Sequence, residues 1–191
     1  DETKPQWTPD KNGRLRLWLQ PDDLGYMDDN EYVISCDIAM GTGGTMSSNS
    51  VATITRRRTG EKVGRWSHNK TEPRPFARQV VLLCKMFNNA YLIWERNGPG
   101  QQFSAEIILL GYANIFYQDD DTAFETNRQR KPGWHSTKDT KQILLSQYRE
   151  AVMSGRFQNP DEESLLECLE YVCSPTGDII HSRAKSSIDP T

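Results

Sequence analysis

The sequence predicts an α/β layered sandwich with a mixed central sheet, its first three strands antiparallel and helices flanking it. Two apolar strand-like runs, Tyr32–Val33–Ile34–Ser35–Cys36–Asp37 and Tyr91–Leu92–Ile93–Trp94–Glu95, each end in a carboxylate and lead into a glycine-bearing loop. The first run opens a series of strand formers uninterrupted by a helical pattern, which reads as an antiparallel meander. From Pro73 onward helical and strand patterns alternate, the order expected when helices layer on a sheet.

The elements follow in order. Residues 1–30 read as a linker with a lead-in strand, in which Leu15, Leu17 and Leu19 alternate with Arg14, Arg16 and Gln20. The Tyr32–Asp37 run comes next, and both it and the Tyr91–Glu95 run read as central strands buried on both faces. After Gly41–Thr42–Gly43–Gly44, Val51–Thr55 and Val63–Trp66 complete the meander around Thr59–Gly60. Pro73 and Pro75 suit the first turn of a helix with Phe76, Val80, Leu83 and Phe87 on one face. Past the Tyr91–Glu95 strand, Gln101–Leu110 reads as a helix with Phe103, Ile107 and Leu110 inward, and Ile115–Tyr117 as a fifth strand. A long polar segment runs from Asp119 to Thr137. Ser136 or Thr137 caps a helix with Leu144, Tyr148, Ala151 and Val152 inward, which Gly155 ends. A helix from about Asp161 turns Leu165, Cys168, Leu169 and Val172 inward, and Gly177–His181 makes a last short strand.

At 191 residues and 36% hydrophobic, the chain suits one globular domain, placed at 31–191. A net charge of −3 gives no global positive field, so any nucleic-acid contact must come from a local patch. The cysteines, Cys36, Cys84, Cys168 and Cys173, form no CxxC pair, and three sit in apolar runs as small hydrophobes, the pattern of a reducing, intracellular compartment. No apolar stretch approaches the ~20 residues of a membrane helix, so the expectation is a soluble protein. His68, His135 and His181 are too scattered for a zinc site.

Chemistry concentrates at the two acids. If their strands are parallel neighbours, Asp37 and Glu95 emerge at one edge of the sheet, where open α/β sheets place ligands. Two nearby carboxylates repel each other unless a cation neutralises them, and an all-oxygen donor set suits Mg²⁺ or Mn²⁺. The alternative is structural, with Asp37 as a turn residue and Glu95 paired to Arg96.

Asp37–Ile38–Ala39–Met40–Gly41, Leu92–Ile93–Trp94–Glu95–Arg96–Asn97–Gly98–Pro99–Gly100 and Lys131–Pro132–Gly133–Trp134–His135–Ser136–Thr137 resemble, in that order, the nuclease domain of the large terminase subunit of tailed bacteriophages. The match spans about residues 14–181, and Leu15–Arg16–Leu17–Trp18 resembles the family's lead-in strand. The resemblance implies an RNase H-like fold and a metal-dependent endonuclease that cuts concatemeric viral double-stranded DNA during genome packaging. It further implies a pair of Mg²⁺ or Mn²⁺ ions at Asp37 and Glu95, catalytic and metal-binding residues both. The expected partners are double-stranded DNA, an N-terminal ATPase domain in the full-length protein, and the portal and small terminase subunit, in the host cytoplasm. The chain itself contains no phosphate-loop motif for ATP.

The family commonly has another acid where this sequence has Asn49 before Ser50. Its last metal-binding aspartate lies on a helix beyond the strand resembling Gly177–His181, and Asp178 and Asp189 are poor substitutes, so that helix is expected to be missing here. DNA contacts are expected from Lys138 and Lys141, with Arg58 of the Arg56–Arg58 run behind them. Trp134 reads more readily as a loop anchor than as a base-stacking residue. Competing functions are a docking module that binds DNA or the portal without cutting, another RNase H-like nuclease such as a junction resolvase, and a phosphate-cradling hairpin at Asp37–Thr45. The last lacks the duplicated domain that actin-like ATPases use.

Overall fold

Alternation along one strand sets the two faces of the sheet. The computed structural model describes residues 8–19, 31–44, 47–119, 130–173 and 179–181. In β2 (Tyr32–Asp37), Tyr32, Ile34 and Cys36 are buried while Ser35 and Asp37 are exposed. The same period of two runs through β3 (Ser50–Arg56) and β5 (Tyr91–Trp94), where Ala52, Ile54, Leu92 and Trp94 are buried. The expectation that the acid-ended strands are buried on both faces is thus corrected: β2 and β5 bury one face, and the acids stand on the other.

With β1 (Leu15–Leu17) and β4 (Glu61–His68) these strands form a five-stranded sheet in the order β1-β4-β3-β2-β5. The β2-β3-β4 meander is antiparallel, β1 adds antiparallel to β4, and β5 runs parallel to β2. A parallel return needs a crossover. Helix α1 (Pro73–Met86) supplies it, opening on prolines at its first positions and followed by Asn88 and Asn89 at positive φ.

An aromatic chain fastens α1 and α2 (Gly100–Leu109) to the sealed face. Trp66 of β4 stacks on Phe76 of α1 with ring centroids 4.9 Å apart, Phe76 meets Phe103 of α2 at 5.4 Å, and Phe103 meets Trp94 of β5 at 5.8 Å. Such pairs add about 0.5–1.5 kcal/mol each beyond the area they bury. Phe103 and Ile107 face inward as expected, but Leu110 does not: it follows the last helical turn and stays exposed. A polar residue takes an inward place instead, since Glu106 is buried and accepts a 2.7 Å charged hydrogen bond from Arg78 of α1. Cys36 and Cys84 are buried, and burial pushes the Cys84 thiol up to about 12, so it packs as a hydrophobe and not as a nucleophile. Cys168 is exposed, against the expectation of a third buried thiol.

The expected fifth strand is shorter than its sequence suggests. Ile115 bridges Leu92 in parallel, and only Tyr117–Gln118 (β6) forms a strand, antiparallel to Lys131–Pro132 (β7). The polar segment thus contains strand-like pairing that Pro132 and Gly133 conceal.

The chain divides into two compact units, Asp1–Thr137 and Lys138–Thr191. In the second, α3 (Lys138–Met153) runs up to the turn at Gly155, whose φ of 72° ends it, and α4 (Glu162–Leu169) follows Asp161. The predicted inward faces are not sealed: Leu144, Leu165, Cys168 and Leu169 are exposed. Val172 lies outside the helix, in β8 (Tyr171–Cys173), which pairs antiparallel with β9 (Ile179–His181) in a sheet of its own. Asp178 and Asp189 lie outside the described residues. Among the described residues no helix is long and apolar enough to cross a membrane.

A Cβ on Gly100 would overlap the carbonyl oxygen of Glu95, so glycine is what lets α2 begin against the end of β5. Gly100→Ala is expected to lower unfolding free energy by about 2 kcal/mol, read as a lower urea midpoint at unchanged slope.

Candidate metal centre

The parallel register brings the two acids together. Cys36 pairs with Trp94, and the Glu95 amide donates to the Cys36 carbonyl at 3.2 Å, so Asp37 and Glu95 occupy the next rung, side by side at the carboxyl ends of β2 and β5. Residues on one rung of a parallel pair share a face, and neighbouring strands are about 4.8 Å apart. Both carboxylates therefore stand on the face opposite the aromatic core, Asp37 exposed and Glu95 half-buried. Among the described residues Glu95 makes neither an ion pair nor a side-chain hydrogen bond. The expected structural alternative, pairing with Arg96, is not formed, and the Arg96 Nη1 is buried without a hydrogen-bond partner.

The surrounding backbone holds this rung in place. Ser50, fully buried at the start of β3, accepts a hydrogen bond from the Ala39 amide at 3.1 Å through its hydroxyl and donates to the Ala39 carbonyl at 3.4 Å, fixing the turn after Asp37. Asn49 beside it is exposed. On the other flank Trp134 bridges Glu95 in parallel, with its amide donating to the Trp94 carbonyl at 2.8 Å and its carbonyl accepting from the Arg96 amide at 2.9 Å. Asn97 extends the ladder with its side chain, donating to the Ser136 carbonyl at 2.7 Å and accepting from the Ser136 amide at 3.2 Å. The Lys131–Thr137 segment is thereby tied to the strand that carries Glu95.

Cations lie along the same edge. Ser50 pairs with His68, the Ser67 amide donates to the Arg14 carbonyl at 3.1 Å, and the Gly43 amide donates to the Asn69 carbonyl at 3.0 Å, beside Lys70. Arg14, some three strand spacings or about 14 Å from Asp37, and Lys70 are both exposed. Neither forms an ion pair among the described residues. Sequence reasoning passed over both, because only strand pairing brings residues so distant in the chain to one edge. Arg58 lies elsewhere: the β3–β4 hairpin joins the opposite ends of these strands, where Tyr32 pairs with Arg56, roughly 17 Å along β2 from Asp37. Arg56 is structural, paired with Glu31 at 3.2 Å and Glu61 at 2.9 Å. Lys138 and Lys141 open α3 in the second unit, both exposed.

Two oxygen-only carboxylates on one rung fit a hard divalent cation, which would be held by Asp37 and Glu95. Among the described residues no third histidine, cysteine or carboxylate joins them.

Solved structures share this fold. The chain is similar to the large terminase nuclease from thermophilic phage G20c with bound cobalt, at a TM-score of 0.64 and 15% identity, over 90% of this chain and 79% of that one. The same nuclease with bound magnesium gives a TM-score of 0.63 at 15% identity over 90% and 79%. The large terminase nuclease domain of Thermus phage P74-26 gives 0.58 at 15% identity over 90% and 76%. This likeness establishes the fold, an α/β layered sandwich shared with those nuclease domains. No protein-family model matches the chain, and no curated protein sequence does.

His68 reports on the cationic end of the edge. Its Nδ1 lies 2.7 Å from the Thr71 hydroxyl, and burial, then Arg14 and Lys70, hold its pKa below the ordinary imidazole value. An NMR titration should place its midpoint below about 6.5, and Arg14→Ala with Lys70→Ala should raise it. Because the folded state then binds fewer protons than the unfolded one, His68's contribution to stability should decline as pH falls from about 6.5 through the folded value.

Proposed function

We propose that this chain is the nuclease part of a phage DNA-packaging terminase, a metal-dependent endonuclease that hydrolyses phosphodiesters of concatemeric double-stranded viral DNA. The observation that carries this reading is the shared rung: parallel pairing of β2 and β5 sets Asp37 beside Glu95 at one sheet edge. The likeness in fold to nucleases solved with magnesium and cobalt supports it. In this reading Asp37 and Glu95 would hold a pair of Mg²⁺ or Mn²⁺ ions, which would supply Lewis acidity and acidify water for phosphodiester hydrolysis.

The chain's own residues hold and orient. Ser50 fixes the turn that aims Asp37, and Gly100 lets α2 close against the Glu95 backbone. Arg14 and Lys70 offer phosphate contacts along the edge that leads away from the acids, independent of base sequence. Lys138 and Lys141 remain further candidates for the DNA path, whereas Arg58 would require DNA to reach the far end of the sheet. An ATPase domain, portal and small terminase subunit are the partners this role calls for, in the host cytoplasm.

A non-cutting docking role is the competing reading, favoured by the absence of a third carboxylate among the described residues. Supercoiled plasmid separates the two. With Mg²⁺ or Mn²⁺ the chain should nick it, and EDTA or Asp37→Ala should abolish nicking. Glu95→Gln should keep the fold and DNA affinity while lowering the rate on the order of 10²-fold or more. Gel shifts without cuts, in either metal, would leave the docking role.

A further inference from the structure

Beside the acids stands a tryptophan that the core does not use. Trp134 bridges Glu95 in parallel, so its indole shares the Glu95 face. The residue before it shows the alternation: a Cβ on Gly133 would come within 2.6 Å of the Trp94 indole nitrogen, so position 133 faces the sealed layer and position 134 the open one. Gly133 has a φ of 79°, a conformation that resists a larger residue there. Of the other described tryptophans, Trp66 and Trp94 are buried in the aromatic chain and Trp18 is half-exposed with the Lys62 ammonium over its ring, whereas Trp134 is half-exposed beside Glu95. Among the described residues its ring makes no aromatic contact and no hydrogen bond. Its backbone is nonetheless fixed on both sides of the peptide, and the Asn97–Ser136 pair of hydrogen bonds locks the residues that follow. A rigidly mounted, half-exposed indole about one strand spacing from a metal-binding carboxylate is a preformed apolar contact surface.

We propose that Trp134 is a DNA-positioning residue, its indole packing against the sugar or base of a nucleotide that flanks the phosphate held at Asp37 and Glu95. This rests on the nuclease reading. A phosphate delivered to the acids brings its own sugar and the neighbouring base within a strand spacing or two, where the indole is the large apolar surface of the Glu95 flank. Packing on a π-face is tolerant of base identity, which suits a nuclease that cuts without a fixed sequence. Asn97 is the positioning residue behind it.

Tryptophan fluorescence on DNA binding, read in the uncut Asp37→Ala chain, and plasmid cleavage test this together. The chain has five tryptophans, so the comparison of Asp37→Ala with Asp37→Ala/Trp134→Phe isolates the one. A short duplex should quench emission, and the Phe substitution should remove most of that change. In the otherwise unaltered chain, Trp134→Ala should raise KM for plasmid about 5- to 100-fold with kcat within about threefold, and Trp134→Phe should restore most of the loss. If Trp134→Ala leaves KM unchanged, or if quenching survives Trp134→Phe while Trp134→Ala only lowers the melting temperature, the indole is a loop anchor and the proposal is overturned. Should Trp134→Ala fail to fold, the Phe variant decides the matter through quenching alone. Quenching that depends on Trp134 in a chain that never nicks plasmid would remove the nuclease reading and leave the DNA contact standing.

Discussion

One backbone hydrogen bond closes the site: the Glu95 amide to the Cys36 carbonyl, the last link of the parallel ladder between β2 and β5. It sets the register in which Asp37 and Glu95 fall on the same rung. A slip of one residue would send one carboxylate to the opposite face. What prevents the slip is the alternation on the sealed side, where Ile34 and Cys36 pair with Leu92 and Trp94 and all four are buried. The apolar face thus enforces the geometry of the polar one.

The aromatic chain from Trp66 through Phe76 and Phe103 to Trp94 does similar work at the level of layers. By holding both helices of the first unit on one side, it leaves the acid side open along β2, where Ser35 and Asp37 are exposed. An exposed carboxylate carries its charge at little cost, so the case for a cation rests on the convergence of two acids and not on their burial. Glu95, half-buried and without an ion pair among the described residues, is the sharper of the two signals.

Second-layer contacts make the edge rigid. Ser50 grips the turn after Asp37, α2 starts against the Glu95 backbone, and Asn97 imitates a strand to bind Ser136. The segments Asp37–Gly41, Leu92–Gly100 and Lys131–Thr137, far apart in the chain, meet at this one edge through those contacts. The likeness to terminase nucleases at 15% identity fits this picture: the fold persists where little of the sequence does.

The chain's own letters determined the local elements and the two acids, because period-two alternation, proline-led helix starts and glycine turns are written in neighbouring residues. The meander, α1 and the acid-ended strands were legible for that reason. Leu110, Leu144, Leu165 and Leu169 misled, since periodicity names a face without saying whether anything covers it. The β7 and β8 strands were hidden because two or three residues carry no period and Pro132 and Gly133 read as breakers, whereas β9 lies within the expected Gly177–His181 strand. Which residues share an edge was decided only by the tertiary structure: strand pairing joins Arg14, His68, Asp37, Glu95 and Trp134 and sends Arg58 to the far end, because hydrogen-bond register between distant segments is a property of the assembled sheet.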